Sequence, residues 1–261
     1  MSKCVLIMGK TCSGKDYTMN RILKDYGDKF HKALQHTTRP MRDGEENLKD
    51  YIFHSHFPLE ENVVPYSFDD DMPFQYLRVR DKNYERRTFR TNHGDWDYWT
   101  DFSEFDKDKT NIIIGDYHMC NAYYEQFSDF KILYNISSDS DRLQRYLCRT
   151  DNTMHQYDEI CRRNRRDDFD HKHFFNVNLK PDLTPICILV GDIDPTEYVP
   201  SLLAEKSIMS HVFYHDKNGK LQKFHFYKNH VEYNHEDNIL MIGDKIIDFY
   251  TLEVRENTKL L

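Results

Sequence analysis

The chain has 261 residues, of which 39% are hydrophobic and 31% charged, and a formal net charge of -8. That length and composition describe one large α/β domain, or a core domain with a small appendage, and exclude a disordered chain. The acidic balance argues against non-specific binding to a nucleic-acid backbone, and no stretch approaches the roughly 20 apolar residues that cross a bilayer. The apolar run Cys4 to Met8 is too short for a signal-peptide core, so a cytoplasmic protein is expected, without nucleic-acid or membrane partners. Six cysteines without a C-x-x-C pair read as buried thiols rather than a zinc site or a disulfide framework.

In chain order, Cys4 to Met8 predicts a strand and Gly9 to Lys15 a loop. An amphipathic helix follows, with Met19, Ile22, Leu23 and Tyr26 on one face and Gly27 as its stop. Further strands are expected at Asn111 to Ile114, Phe130 to Ile136 and Ile186 to Val190. Helices are expected from Asp139 to about Arg149 with Ser137 or Ser138 as cap, from about Met154 to Arg166, and from Pro195 to about Lys206. This alternation predicts an α/β fold, a mostly parallel sheet with helices on both faces. From Ser210 on, alternating segments broken at Asn218-Gly219 and Gly243-Asp244 predict a small antiparallel β extension. The expected division is therefore a core at 1–207 and an extension at 208–261.

The loop Gly9-Lys10-Thr11-Cys12-Ser13-Gly14-Lys15 fits G-x-x-x-x-G-K between a strand and a helix. Its glycines let backbone N–H groups converge on phosphate oxygens, the helix start adds partial positive charge, and the lysine reaches the β and γ phosphates. Gly9, Thr11, Cys12, Ser13, Gly14, Lys15, Asp16 and Tyr17 are the candidate ATP-binding residues. Asp16 stands where a Ser or Thr hydroxyl is usual. Its carboxylate can ligate Mg²⁺ directly, yet it also adds negative charge beside a triphosphate.

Downstream, Thr37-Thr38-Arg39-Pro40-Met41-Arg42-Asp43-Gly44-Glu45 and then Asp50-Tyr51-Ile52-Phe53 make the sequence resemble guanylate kinase, a P-loop nucleoside monophosphate kinase, over about residues 3 to 180. That resemblance implies a monophosphate-binding arm at about 35–100 and a lid at about 139–168. It assigns Arg39, Arg42 and Tyr51 to the acceptor phosphate, where paired guanidinium groups hold phosphate through charge-assisted hydrogen bonds. Tyr98-Trp99-Thr100 resembles the family's Y-G-T/S and nominates Tyr98 and Thr100, with Trp99 in place of glycine and Gln35 in place of a serine. Glu85 is the candidate for the family's base-reading glutamate, and Asp116, ending an apolar strand, is similar to one acid of a D-x-D segment, serving either metal or acceptor. For the lid, Arg145, Arg149 and Arg163 match the family's arginines best; Arg142, Arg145 and Arg149 share one helical face. The resemblance thus names Lys15, Arg145, Arg149 and Arg163 as catalytic and Mg²⁺ as the cofactor.

His171-Lys172-His173 reads as exposed histidines rather than a metal site, and Asp69-Asp70-Asp71 as a solvated loop. The expected activity is transfer of the γ-phosphoryl of ATP to GMP, dGMP or a related monophosphate. The alternative is a noncatalytic module of the same fold that binds a nucleotide or a protein.

Overall fold

The computed structural model describes residues 3–42, 44–57, 63–66, 74–79, 84–91, 94–117, 119–148, 154–176, 184–204, 210–226, 231–234 and 236–257; for some of these, including those between 63 and 95, only the backbone is described. The chain opens with β1 (Lys3–Met8), α1 (Lys15–Tyr26) and β2 (Phe30–Lys32). Next come β3 (His36–Thr37), β4 (Ile52–Phe53), β5 (Val63–Tyr66), β6 (Phe74–Val79), β7 (Tyr84–Thr91) and β8 (Gly94–Asp101). The middle holds β9 (Thr110–Ile114), α2 (Met119–Gln126), β10 (Asp129–Ile136), α3 (Asp139–Cys148), α4 (Met154–Asn176), β11 (Ile186–Val190) and α5 (Pro195–Leu203). The chain continues through β12 (Ser210–His215), β13 (Leu221–Phe226), β14 (Val231–Asn234), β15 (Ile239–Ile242), β16 (Lys245–Asp248) and β17 (Val254–Glu256).

Seven strands form the central sheet in the order β13-β12-β11-β10-β1-β9-β2, parallel except for β13. A parallel sheet covered on both faces needs strands apolar on both, and Cys4 to Met8 and Ile186 to Val190 are buried throughout. Period-two alternation separates the faces. Val5, Ile7, Leu133 and Leu189 pack with Met19 and Ile22 of α1 and Tyr198, Val199 and Leu202 of α5. Leu6, Met8, Ile132, Tyr134 and Ile188 pack with Tyr123 of α2 and Phe174 of α4. The helix starts follow local rules: Asp194 caps α5 by accepting from Thr196 N at 2.9 Å, with Pro195 in the first turn. Helix α4 runs ten residues beyond the expected Arg166, because Asp167, Asp170, His171 and Phe174 continue its inward face.

The arm is a second sheet, β4-β3-β8-β7-β6-β5, antiparallel except for the β3–β4 pair. On β8, Trp96 and Tyr98 line a cleft, while Trp99 points to the opposite face and is 1% exposed. There its ring lies 5.2 Å from His36, 4.9 Å from His54 and 5.0 Å from Phe57. Trp99 is therefore arm core and does not fill the cleft.

The hairpin β12–β13, beyond the 207/208 boundary expected from the sequence, lies within the central sheet, β12 pairing parallel with β11. The separate antiparallel sheet is β14-β15-β16-β17, whose Tyr233, Leu240, Ile242, Ile247 and Phe249 join the core on the α4 side. Two expectations are corrected here. His171 is 3% exposed, because the aromatic rings of Tyr134, Phe175, Tyr233 and Phe249 surround it at 5.0 to 5.3 Å. Cys148 and Cys161 are exposed, Cys12 is half-buried, and only Cys4, Cys120 and Cys187 are buried thiols. Asp69 to Asp71 lie outside the described residues. No helix among the described residues is long and apolar enough to cross a membrane.

Replacing Trp99 by Ala should destabilise the arm by about 3–5 kcal/mol, the usual range for emptying a buried aromatic site. Denaturant unfolding with a probe on the arm would measure it; a loss below about 1 kcal/mol would mean that Trp99 does not anchor the arm.

Candidate active site

At the carboxyl end of β1 the chain must turn against β10 before α1 can start. Gly9 makes this possible at φ 139°, since a Cβ there would lie 2.4 Å from the carbonyl oxygen of Asn135. Gly14 begins α1 at φ 90° without a side-chain cap, so the first-turn N–H groups are left to an outside acceptor. Lys15 Nζ donates to the carbonyls of Gly9 at 2.7 Å and Lys10 at 2.8 Å. Burial lowers its pKa, against the pull of Asp167 and Asp16. Ser13 Oγ is buried without a hydrogen-bond partner among the described residues. Asp16 is exposed in the first turn of α1, and Tyr17, 56% exposed, lies against Arg21 on the solvent side.

The arm reaches the same cleft, a cavity of about 300 Å³ lined by Gly9, Lys15, Arg39, Arg42, Tyr51, Tyr98, Asp116 and Arg163 among others. Arg39 is 3% exposed, gives both ends of its fork to Glu45 at 2.8 and 3.0 Å, and donates from Nε to the Tyr98 hydroxyl at 3.0 Å. Burial opposes its charge, and the Glu45 carboxylate more than offsets this, raising its pKa. Arg42 has an exposed side chain and makes no ion pair among the described residues. Packing around the cleft, and then the like charges of Arg39 and Arg163, lower its pKa, as for a cation lacking its anion. Burial beside Tyr98 pushes the Tyr51 hydroxyl up to about 12, so it stays protonated and able to donate.

Helix α4 closes the other side, while no described α3 residue, Arg145 included, is among those lining the cleft. Arg145 Nη1 donates to Cys12 O and Ser137 Oγ, both at 3.1 Å. Arg163 is held by Glu159 at 2.7 Å. Asp116 pairs with Arg166 at 3.2 Å. Arg149 lies outside the described residues, as does the side chain of Glu85, whose backbone pairs with Thr100. Thr100 is fully buried, accepts from the Tyr123 hydroxyl at 2.8 Å, and does not line the cleft.

Three further contacts shape the site. Glu45 orders Arg39. Asp167 accepts from Thr11 N at 2.8 Å and Thr11 Oγ1 at 3.1 Å, placing a carboxylate on the loop's own donors. Burial raises its pKa, while Arg142 and Lys15 pull it down. Buried Arg142 joins Thr11 O at 2.7 Å, Asp139 at 2.5 Å and Asp167 at 2.6 Å. The signal for Asp167 was the helical spacing of Arg163, Asp167, Asp170 and His171, which puts them on one face.

For a divalent ion, the donors present are few. Among the described residues no group of three or more His, Cys, Asp or Glu could hold an ion alone. One carboxylate at the start of α1 suits Mg²⁺ arriving with phosphate oxygens and water, the donor set that ion prefers.

Glu159 holds Arg162 and Arg163, and despite partial burial those two guanidinium groups bring its pKa down to about 2. A depressed carboxylate stabilises fully above its unfolded value, and that stability is lost as pH falls toward the folded value. Glu159→Gln should therefore cost about 1 kcal/mol at pH 7 once solvent screening is allowed for. In urea titrations the deficit should shrink as pH falls from about 4.5 toward 2. A deficit independent of pH would contradict the pairing.

A guanylate kinase family model matches residues 1–68. Human guanylate kinase is 31% identical over 70 residues, covering 27% of this chain and 36% of the human protein. Guanylate kinase of Schizosaccharomyces pombe is 43% identical over 51 residues, covering 20% of this chain and 25% of that protein. The chain thus spans about a quarter to a third of the length of these relatives. A solved structure of guanylate kinase from Anaplasma phagocytophilum aligns with 78% of this chain and 86% of its own at 17% identity and a TM-score of 0.44. The matched segment holds the glycine loop and the Arg39–Arg42 arm, and ends before Tyr98, Asp116 and the α3–α4 pair. Over that segment the chain is similar to the guanylate kinase family.

Proposed function

We propose that the chain is an ATP-dependent nucleoside monophosphate kinase, moving the γ-phosphoryl of ATP to GMP, dGMP or a related monophosphate. One observation carries this reading: the loop lysine Lys15, the arm residues Arg39, Arg42, Tyr51 and Tyr98, and the α4 cation Arg163 line a single cleft. In this reading Gly9 to Lys15 holds the triphosphate, with the Ser13 hydroxyl and the uncapped α1 start as donors. Arg42 supplies the charge for the acceptor phosphate, while Arg39, already locked to Glu45, orients Tyr98 and stiffens the arm. The acceptor oxygen is ionised at neutral pH, so no general base is required, and rate comes from alignment and charge neutralisation by Lys15, Arg145 and Arg163. Mg²⁺, held by Asp16 and phosphate oxygens, would neutralise charge between the phosphates.

A second reading has its own observation. The Asp167 carboxylate on Thr11 gives the loop an internal anion, which suits a noncatalytic nucleotide- or protein-binding module. ADP release measured against a panel of ribo- and deoxymonophosphates decides between the two. The kinase reading expects at least one monophosphate to raise release well above the ATP-only rate; nucleotide binding without such stimulation would favour the module.

Within the kinase reading, Lys15→Ala should lower kcat at least about 10³-fold with little change in stability, since the lysine serves developing phosphate charge. Arg42→Ala should raise the KM of the monophosphate about tenfold or more and leave the KM of ATP nearly unchanged, as loss of a charge-assisted contact to one substrate does. Initial-rate kinetics with each substrate varied would check both, and a change confined to the ATP constant would remove Arg42 from the acceptor site.

A further inference from the structure

The second loop residue, Lys10, sends its side chain away from the central sheet into the carboxyl-terminal region and is 6% exposed. Its ammonium donates to Asn238 Oδ1 and to Asp168 Oδ1, both at 3.2 Å, with Asp139 at 3.9 Å. It lies 5.5 Å from the ring centre of Phe249, in the turn after β16, and 5.9 Å from that of Tyr233 on β14. Asn238, 5% exposed and left-handed at φ 52°, gathers this arrangement. Its Oδ1 accepts from the Tyr233 hydroxyl at 2.7 Å, its Nδ2 donates to Asp139 Oδ2 at 2.7 Å, and its carbonyl accepts from Phe249 N at 3.1 Å.

The main chain of the same lysine supports the loop. Lys10 O accepts from Lys15 Nζ at 2.8 Å and from Ser13 N at 3.1 Å. Whatever fixes the Lys10 side chain therefore fixes the carbonyl from which Lys15 hangs. We propose that the carboxyl-terminal sheet is a positioning element of the phosphate loop: Asn238, with the rings of Tyr233 and Phe249, anchors Lys10 and thereby sets Lys15 for the triphosphate. This role rests on the loop binding ATP. It does not require that phosphoryl transfer follow. Without Asn238 the buried ammonium keeps Asp168 and has Asp139 as its next oxygen, so it would be drawn toward these two carboxylates and the loop pulled out of register.

The test is calorimetric titration of ATP with Mg²⁺ into the full chain, without acceptor, for wild type, Asn238→Ala, Lys10→Met and the double variant. Met keeps the apolar stem on the two rings and removes the charge. Each single variant should weaken ATP about tenfold, the size expected when one charged donor loses its partner. The double variant should bind no more weakly than either single one, because both break one chain of contacts. Additive losses would show that Asn238 merely stabilises the fold, and unchanged affinity in either single variant would overturn the proposal. Should Asn238→Ala not fold, Lys10→Met decides alone, its unfolding midpoint checked in urea. Wild type that binds ATP but is stimulated by no monophosphate ends the kinase reading and leaves this one standing; wild type that binds no ATP ends this one.

Discussion

A buried guanidinium must be met by oxygens on every side, and Arg142 imposes that demand where three parts of the molecule converge. Its side chain is 7% exposed and satisfied by the loop carbonyl of Thr11, by Asp139 on its own helix and by Asp167 on α4. Taking such a charge out of water is recovered only with close geometry and a full complement of partners. Loop, α3 and α4 are consequently held in one mutual arrangement. Asp139 extends the same network to Asn238, and so to the carboxyl-terminal sheet. Other cations stand around this core with looser ties: among the described residues Arg145 donates to the neutral oxygens of Cys12 and Ser137, and Arg42 makes no ion pair.

The arm solves a different problem. It carries cationic and phenolic groups at the rim of a cleft, and they would be floppy on a loop. Arg39 is stiffened by a two-point bond to Glu45 and by the faces of Tyr51 and Phe53, 5.3 and 5.6 Å away. Alternation along β8 then divides labour, Tyr98 toward the cleft and Trp99 toward the arm's own core.

Much of the central sheet was legible in the residues. Runs such as Cys4 to Met8 are apolar without alternation, which only a doubly covered sheet tolerates, and the glycine loop announces itself because Gly9 and Gly14 need backbone shapes that other residues resist. The arm's cleft-facing half was legible through Arg39, Arg42 and Tyr51. The tail was misread in part: β12 and β13 alternate like a free hairpin, yet Val212 and Phe213 each find a covered face of the central sheet. Long-range charge pairing was not legible either. Helical spacing puts Asp167 on the inward face of α4, but only the packing of α4 against the loop decides that it meets Thr11 while its neighbour Asp168 meets Lys10. The reach of Thr100 toward Tyr123 was hidden for the same reason, since a strand residue near a cleft can face its floor or the helix beneath it.

The two tryptophans of the chain are both on β8, three residues apart and on opposite faces. Trp96 borders the cleft, whereas Trp99 is sealed behind it among His36, His54 and Phe57. Tryptophan fluorescence therefore arises entirely within the arm and divides into an outer emitter that senses what enters the cleft and an inner one that senses whether the arm is folded. The molecule carries its own optical reporter for the element on which acceptor binding is proposed to depend.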